Sequence, residues 1–337
     1  MTGVYLLRRL LQTVPVVLGV TLIVFTLIHL TPGDPVEVMM AGQGSVTQEQ
    51  IEQLRRELGL DQPFWRQYLR FLAGLPRGDL GVSFYYRGVP VGALIGERLP
   101  ATIELTVAAM FISVVIALPA GVLAAVRRNR LPDRVGSVAA MLGVSVPDFW
   151  LGLVLMLLFS VSLQWLPIAG RITYGLEPPH VTGLFLVDSI LAGDWVAFWD
   201  ALRHLILPAF TLGTAMAALT MRITRSSMLE VIRQEYITYA RAKGLSSWAV
   251  VVRHALRNAL IPTVTVVTLN AGTLLGGNMI VETIFGWPGL GRLVVDSIYV
   301  RDYPVVQAAV FVYALTYILM NLLADWLYTR LNPRVSL

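Results

Sequence analysis

Asp148, Asn270 and Asn278 are polar side chains set inside otherwise apolar runs. A carboxylate and two carboxamides in such places could line the path of a polar solute through a membrane, because an intramembrane polar group is costly unless something meets it. The plainer reading is a helix cap or a bridge to a neighbouring helix, and the residues alone leave both open. Pro147, just before Asp148, removes a backbone donor and breaks the helix, which leaves carbonyls and a carboxylate free to face a cavity. Other chemistry is missing. A chain that hydrolysed ATP itself would carry a glycine-rich cradle ending in Gly-Lys-Ser/Thr, yet the single lysine, Lys243, is followed by glycine. His29, His180, His204 and His254 are scattered without metal-binding spacing. There is no cysteine, which excludes thiolate sites and disulfides. Gly42-Gln43-Gly44-Ser45 lacks the Gly-x-Ser-x-Gly order of a nucleophile elbow and reads as a turn. Neither a catalytic constellation nor a metal site is expected, so the energy for any transport must come from elsewhere.

The other stretch with functional potential is the long polar interruption at 235–262, between two apolar segments. From Arg222 to Arg257 the basic residues are Arg222, Arg225, Arg233, Arg241, Lys243, Arg253 and Arg257, against Glu230 and Glu235. A positive loop of this kind belongs on the cytoplasmic side. The pattern predicts two short helices, the first stopping near Gly244 and the second capped by Ser246 or Ser247 and running through Trp248, Val251, Val252, Ala255 and Leu256. The small Ala240, Ala242 and Gly244 would admit the close approach of another protein. Trp248, Val251 and Val252 offer an apolar face. An elbow lying on the inner leaflet without a partner is the alternative.

The run Ala240-Arg241-Ala242-Lys243-Gly244-Leu245, followed by His254, Leu256, Arg257, Asn258, Ala259 and Pro262, resembles the cytoplasmic loop of the permease subunits of ABC importers, in the dipeptide/oligopeptide/nickel branch. Measured against the general loop pattern of that superfamily, Thr238 stands where a Glu would be, Tyr239 replaces an Ala, His254 an Ile and Arg257 a Pro. Pro32-Gly33-Asp34-Pro35, Gly78-Asp79-Leu80-Gly81-Val82-Ser83, the Gly/Pro-rich turn from Glu282 to Gly291, Arg301-Asp302-Tyr303-Pro304 and Asn332-Pro333-Arg334 are similar to the same branch. The resemblance implies an all-α integral membrane protein with six transmembrane helices, both termini cytoplasmic, and a type I ABC importer-like permease fold. It implies no cofactor in this chain, with ATP and Mg held by partner subunits. The implied partners are a second homologous permease, two ATP-binding subunits and an extracytoplasmic substrate-binding protein, with di- or oligopeptides as cargo. Contact with the ATPase subunit would then fall to Glu235, Tyr239, Ala240, Arg241, Ala242, Lys243, Gly244, Leu245, Trp248, His254, Arg257 and Asn258, and the pathway to Asp148, Asn270 and Asn278.

Elements must position these residues, and the composition says what kind. Of 337 residues, 56% are hydrophobic and 14% charged, which is too apolar for an ordinary soluble domain. Arg8 and Arg9 precede an uncharged run at 10–30, about 30 Å long if helical and enough to cross a bilayer core. It is longer than a signal-peptide core and no small-x-small cleavage pattern follows, so a retained anchor is expected. A polar segment follows to residue 99, with a capping box at Thr47 and Gln50, a stop at Gly59 and an amphipathic piece from Phe64 to Leu72. Further spans are expected at 101–126, at 135–165 with its break at Pro147, at 205–221, at 259–281 with Gly272-x-x-x-Gly276 on one face, and at 304–324. Division follows as an anchor helix with an outer cap at 1–99 and a five-helix core at 100–337 containing the coupling loop 222–257.

Six spans put both termini on one side, where most of the Lys/Arg and few of the loop acids collect. That distribution absorbs the net charge of +5 into membrane topology and makes nucleic acid unnecessary. A stand-alone secondary transporter or channel is the rival reading, and Glu104 and Asp148 are few groups with which to couple an ion. An intramembrane enzyme lacks paired catalytic residues.

Overall fold

A computed structural model describes residues 3–30, 33–40, 47–86 and 88–331. The runs Gly42-Gln43-Gly44-Ser45 and Asn332-Pro333-Arg334 lie outside these residues, as do Pro32 and the side chains of Arg8 and Arg9. The chain forms α1 (Gly3–Leu30), α2 (Pro35–Met40), α3 (Gln48–Glu57), α4 (Phe64–Gly74), α5 (Val91–Val126), α6 (Leu131–Ser145), α7 (Asp148–Leu155) and α8 (Phe185–Ala192). It continues with α9 (Trp195–Val231), α10 (Glu235–Ala242), α11 (Ser247–Ala249), α12 (Arg257–Leu275), α13 (Met279–Ile284), α14 (Leu290–Tyr299) and α15 (Tyr303–Leu331). Among the described residues, five helices are long and apolar enough to cross a membrane, and a sixth span results if the bent pair Leu131–Ser145 and Asp148–Ser162 counts as one.

The third span breaks where proline predicts. Val146 and Pro147 are extended between α6 and α7, as the residue before a proline prefers, and the two halves meet at 101°. Other boundaries move. The second span begins at Val91, so a division at residue 99 falls inside α5, and the fourth extends to Trp195 and Val231. The fifth stops at Leu275 instead of 281, because Gly276 and Gly277 end it and Asn278 caps α13 by accepting from the Val281 amide at 2.9 Å.

Small residues hold the centre together. Ala109, Ala117, Gly121 and Ala124 of α5 face Gly213, Ala217 and Ala218 of α9, and a Cβ at Gly121 would lie 2.8 Å from Thr224. Backbones approach closely where Cβ atoms are few, which is how helices associate without a hydrophobic drive between them. Gly272 and Gly276 do the same work between α12 and α15, where a Cβ at Gly276 would sit 1.7 Å from the Tyr313 ring. That stripe is therefore used inside the chain.

At the cap end, the Thr47–Gln50 capping box forms and Gly59 adopts φ +72°. α4 packs on α1 through Phe64 and Tyr68 against Phe25, with ring centroids 5.0 and 5.3 Å apart. Asp302 is fully buried and accepts from the Ser83 hydroxyl and from the amides of Phe84 (3.0 Å) and Tyr85 (3.2 Å). Two runs far apart in sequence are thereby fastened together.

Candidate functional site

The break at Pro147 starts α7 beside the middle of α9 and the end of α12. A cavity of about 300 Å³ opens there, with Asp148, Asn270 and Asn278 on its wall and Leu212, Met216 and Leu274 as apolar surface between them. This volume lies at the lower end of what encloses a small ligand, roughly 300–1,000 Å³. All three polar side chains singled out from the sequence meet in it. Asn278 spends its carbonyl oxygen on the α13 cap and keeps its Nδ2 for the cavity. Asn270 has no hydrogen bond among the described residues, and neither has Asp148 an ion pair or a hydrogen-bond donor.

The wall at the cap end is stiff. Glu282 is fully buried in α13 and accepts from the Thr102 hydroxyl (3.1 Å) and the Arg292 amide (2.9 Å), while the Leu290 amide donates to Thr102 (2.8 Å). Burial pushes the Glu282 carboxyl up to about 7, against the pull of these donors. Trp287, also fully buried, donates from its indole to the Ala101 carbonyl at 2.8 Å. Gly277 has φ +87° and a Cβ there would strike the Gly291 amide nitrogen at 2.3 Å, so only glycine lets the end of α12 lie against α14.

Glu104 is not free to carry an ion. Arg171 donates to it at 2.9 and 2.6 Å and to the Gly183 carbonyl at 2.7 Å, and the guanidinium lies 3.8 Å from the Phe185 ring centroid. Both side chains are buried. The pair pins the loop before α8 to the first half of α5, which removes the motivation for a secondary transporter that used Glu104.

At the opposite end α10, α11 and the π-type turns at Val250–Leu256 make the elbow. Ser246 caps α11 by accepting from Ala249, and Gly244, at φ +77°, ends the first helix with open space around its Cα. Ile237, Ala240, Val250, Ala255 and Ala259 are buried against Ala125 of α5 and Met228 of α9, which fixes the elbow to two spans. Ala240 thus points into the chain itself: it follows Ile237 by three residues on the inward face of α10 and presents nothing to a partner. His254 is half-buried. Glu235, Tyr239, Arg241, Ala242, Lys243, Gly244, Leu245, Trp248, Arg257 and Asn258 are exposed, Trp248 by 73% and Tyr239 by 63%. Asn258 donates to the Tyr236 hydroxyl at 2.7 Å, bracing the far side.

Two ties escaped the sequence reading. Asp133 at the start of α6 receives Arg225 of α9 through two bonds, 2.5 and 3.0 Å, and Asp302 makes the buried connection described above. Asp133 carries no motif, and an acid near a helix start with an arginine almost a hundred residues later gives no local signal; Asp302 and Ser83 lie in runs the resemblance singled out, but nothing local joins residues 219 positions apart.

Residues 117–337 match the family model described as binding-protein-dependent transport system inner membrane component, and residues 3–106 match its N-terminal companion. The chain is 46% identical to the dipeptide transport system permease protein DppB of Escherichia coli K12 over 98% of each chain. It is 48% identical to the di/tripeptide transport system permease protein DppB of Pseudomonas aeruginosa, again over 98% of each. Its identity to the glutathione transport system permease protein GsiC of E. coli is 41% over 98% of each. Among solved structures, the inward-facing methionine ABC transporter MetNI aligns with a TM-score of 0.53 at 19% identity, covering 71% of this chain and 96% of that one. This last likeness concerns the fold alone.

Proposed function

The chain belongs to the inner membrane components of binding-protein-dependent transport systems, and from that premise we propose that it is one permease of an ATP-driven importer of di- and tripeptides. In this reading it pairs with a second, homologous permease, two ATP-binding subunits supply ATP and Mg, and an extracytoplasmic binding protein delivers the peptide. Both termini and the elbow face the cytoplasm, with α2–α4 and the loop before α8 on the outer side. The cavity at Asp148, Asn270 and Asn278 is then a station on the pathway.

The observation that carries this reading is the elbow. Large aromatic and basic side chains stay uncovered on a short element whose other face is buried against α5 and α9. A surface presented so rigidly suits docking by a partner that must push or pull the spans. Chemistry within the chain offers no energy source, so the push comes from the ATP-binding subunits.

The test replaces Gly244, which has open space around it, with arginine and with alanine. Alanine alone reports the cost of a side chain at positive φ, about 1 kcal/mol. Gly244→Arg adds bulk and charge at the contact, so co-purification of the ATP-binding subunits and ATP-dependent uptake both fall, whereas Gly244→Ala keeps most of each. Coupled uptake at the original rate in Gly244→Arg refutes the docking role.

A further inference from the structure

We propose that Asp148 recognises the free α-ammonium group of the peptide inside the permease, so that the pathway itself, beyond the binding protein, selects for a charged amino terminus. The proposal rests on the reading of the cavity as part of the pathway.

The buried carboxylates among the described residues are met. Arg171 meets Glu104, Arg225 meets Asp133, and amides with a hydroxyl meet Asp302 and Glu282. Asp148 lies half-buried on the cavity wall with no such partner among the described residues. It stands in the first turn of α7, yet it does not cap that helix, since its oxygens accept no backbone amide. A carboxylate in a partly desolvated site gains most from a cation that brings N–H donors. An ammonium is that partner, and it is the group common to every unmodified peptide whatever its side chains.

The rest of the cavity completes the match. Asn270 offers both a donor and an acceptor, and Asn278 keeps its NH₂ group after its oxygen has capped α13. One carboxylate with two carboxamides suits a molecule with one positive group, a peptide bond and a negative end. Leu212, Met216 and Leu274 give apolar surface without shape demands, which tolerates varied side chains.

The experiment uses the whole importer, with its second permease, ATP-binding subunits and binding protein, in liposomes. Uptake is measured for alanyl-alanine and for propionyl-alanine, which lacks only the ammonium, each at a concentration shown by calorimetry to saturate the binding protein. In the unaltered importer alanyl-alanine enters at least about tenfold faster, the scale of one charge-assisted hydrogen bond. Asp148→Asn brings the two rates within about twofold of each other, and Asp148→Glu retains most of the preference. Equal uptake of the two probes by the unaltered importer overturns the proposal without any variant having to fold. So does an undiminished preference in Asp148→Asn, or loss of the second permease from that variant, which would assign the carboxylate to a subunit contact. Ala215→Trp fills the cavity without changing its charge and separates the two levels. It slows both probes if the cavity lies on the pathway, and unchanged uptake of both removes the pathway reading and the proposal with it.

Discussion

Glu104→Gln tests whether the Arg171 pair holds the outer loop in place. Both side chains are about 7% exposed, and two of the three hydrogen bonds made by the guanidinium go to Glu104. The substitution removes the negative charge and one of the two acceptor oxygens, so the buried arginine keeps at most a neutral acceptor there beside the Gly183 carbonyl and the face of Phe185. Breaking one side of a buried ion pair costs about 3–5 kcal/mol. The same carboxylate accepts from the Leu186 amide at 2.8 Å, so the cost falls on the segment leading into α8. Hydrogen exchange of the Gly183 and Leu186 amides should accelerate by roughly two to three and a half orders of magnitude at 1.4 kcal/mol per decade. Adding Arg171→Met to Glu104→Gln removes the stranded cation and should restore most of the protection, because no buried charge then remains unpaired. Exchange at the original rate in Glu104→Gln, or no recovery in the double variant, refutes the argument.

The Glu282 carboxyl, held at about 7 against an ordinary 4.5, favours its neutral form in the folded turn between α13 and α14. That contribution is present below 4.5 and lost as pH rises through 7, about 3 kcal/mol in all; the thermal midpoint should fall between pH 5 and 8, and Glu282→Gln should flatten the fall. An equal slope in the variant would remove Glu282 as its cause. Gly276→Ala forces the Tyr313 ring from its seat and should destabilise by about 1–3 kcal/mol, with Tyr313→Ala relieving part of it. A Gly276→Ala protein as heat-stable as the original would show that α12 and α15 have slack.

What could be read from the sequence was what depends on neighbours along the chain. The capping box at Thr47, the stop at Gly59, the break at Pro147 and the two-part elbow all follow from residues within a few positions of each other. Asp148, Asn270 and Asn278 were each visible as polar interruptions, but their convergence depends on a 101° bend and on where α12 ends. The α5–α9 seam was overlooked although Ala117-x-x-x-Gly121 and Gly213-x-x-x-Ala217 have the spacing that marked Gly272 and Gly276. Alanine is so common in apolar helices that the pattern carries little weight until its partner face is known. Ala240 was read as outward because smallness suits both a contact and a core; only the i, i+3 relation to Ile237 separates them, and it needs the inward face to be identified first.

The elbow and the cavity are joined by parts that have little freedom to move separately. Met228 sits in the elbow's mount and Met216 on the cavity, about 18 Å apart along unbroken α9. Ala259 and Asn270 stand in the same relation on α12, about 16 Å apart. The opposite wall, with Asp148, is attached to α9 twice: through Arg225 and Asp133 at the start of α6, across the bend, and directly where Gly152 of α7 lies against Thr211. A displacement at the elbow therefore reaches the Asn270 wall along one straight helix, and the Asp148 wall through α9 and its two attachments, one of them across the bend. On the proposed reading of the cavity as part of the pathway, a peptide held between Asp148 and Asn270 would have its contacts changed wherever these two routes respond unequally to an event at the elbow. Alternating access needs that differential response, and rigid attachment of both walls would abolish it.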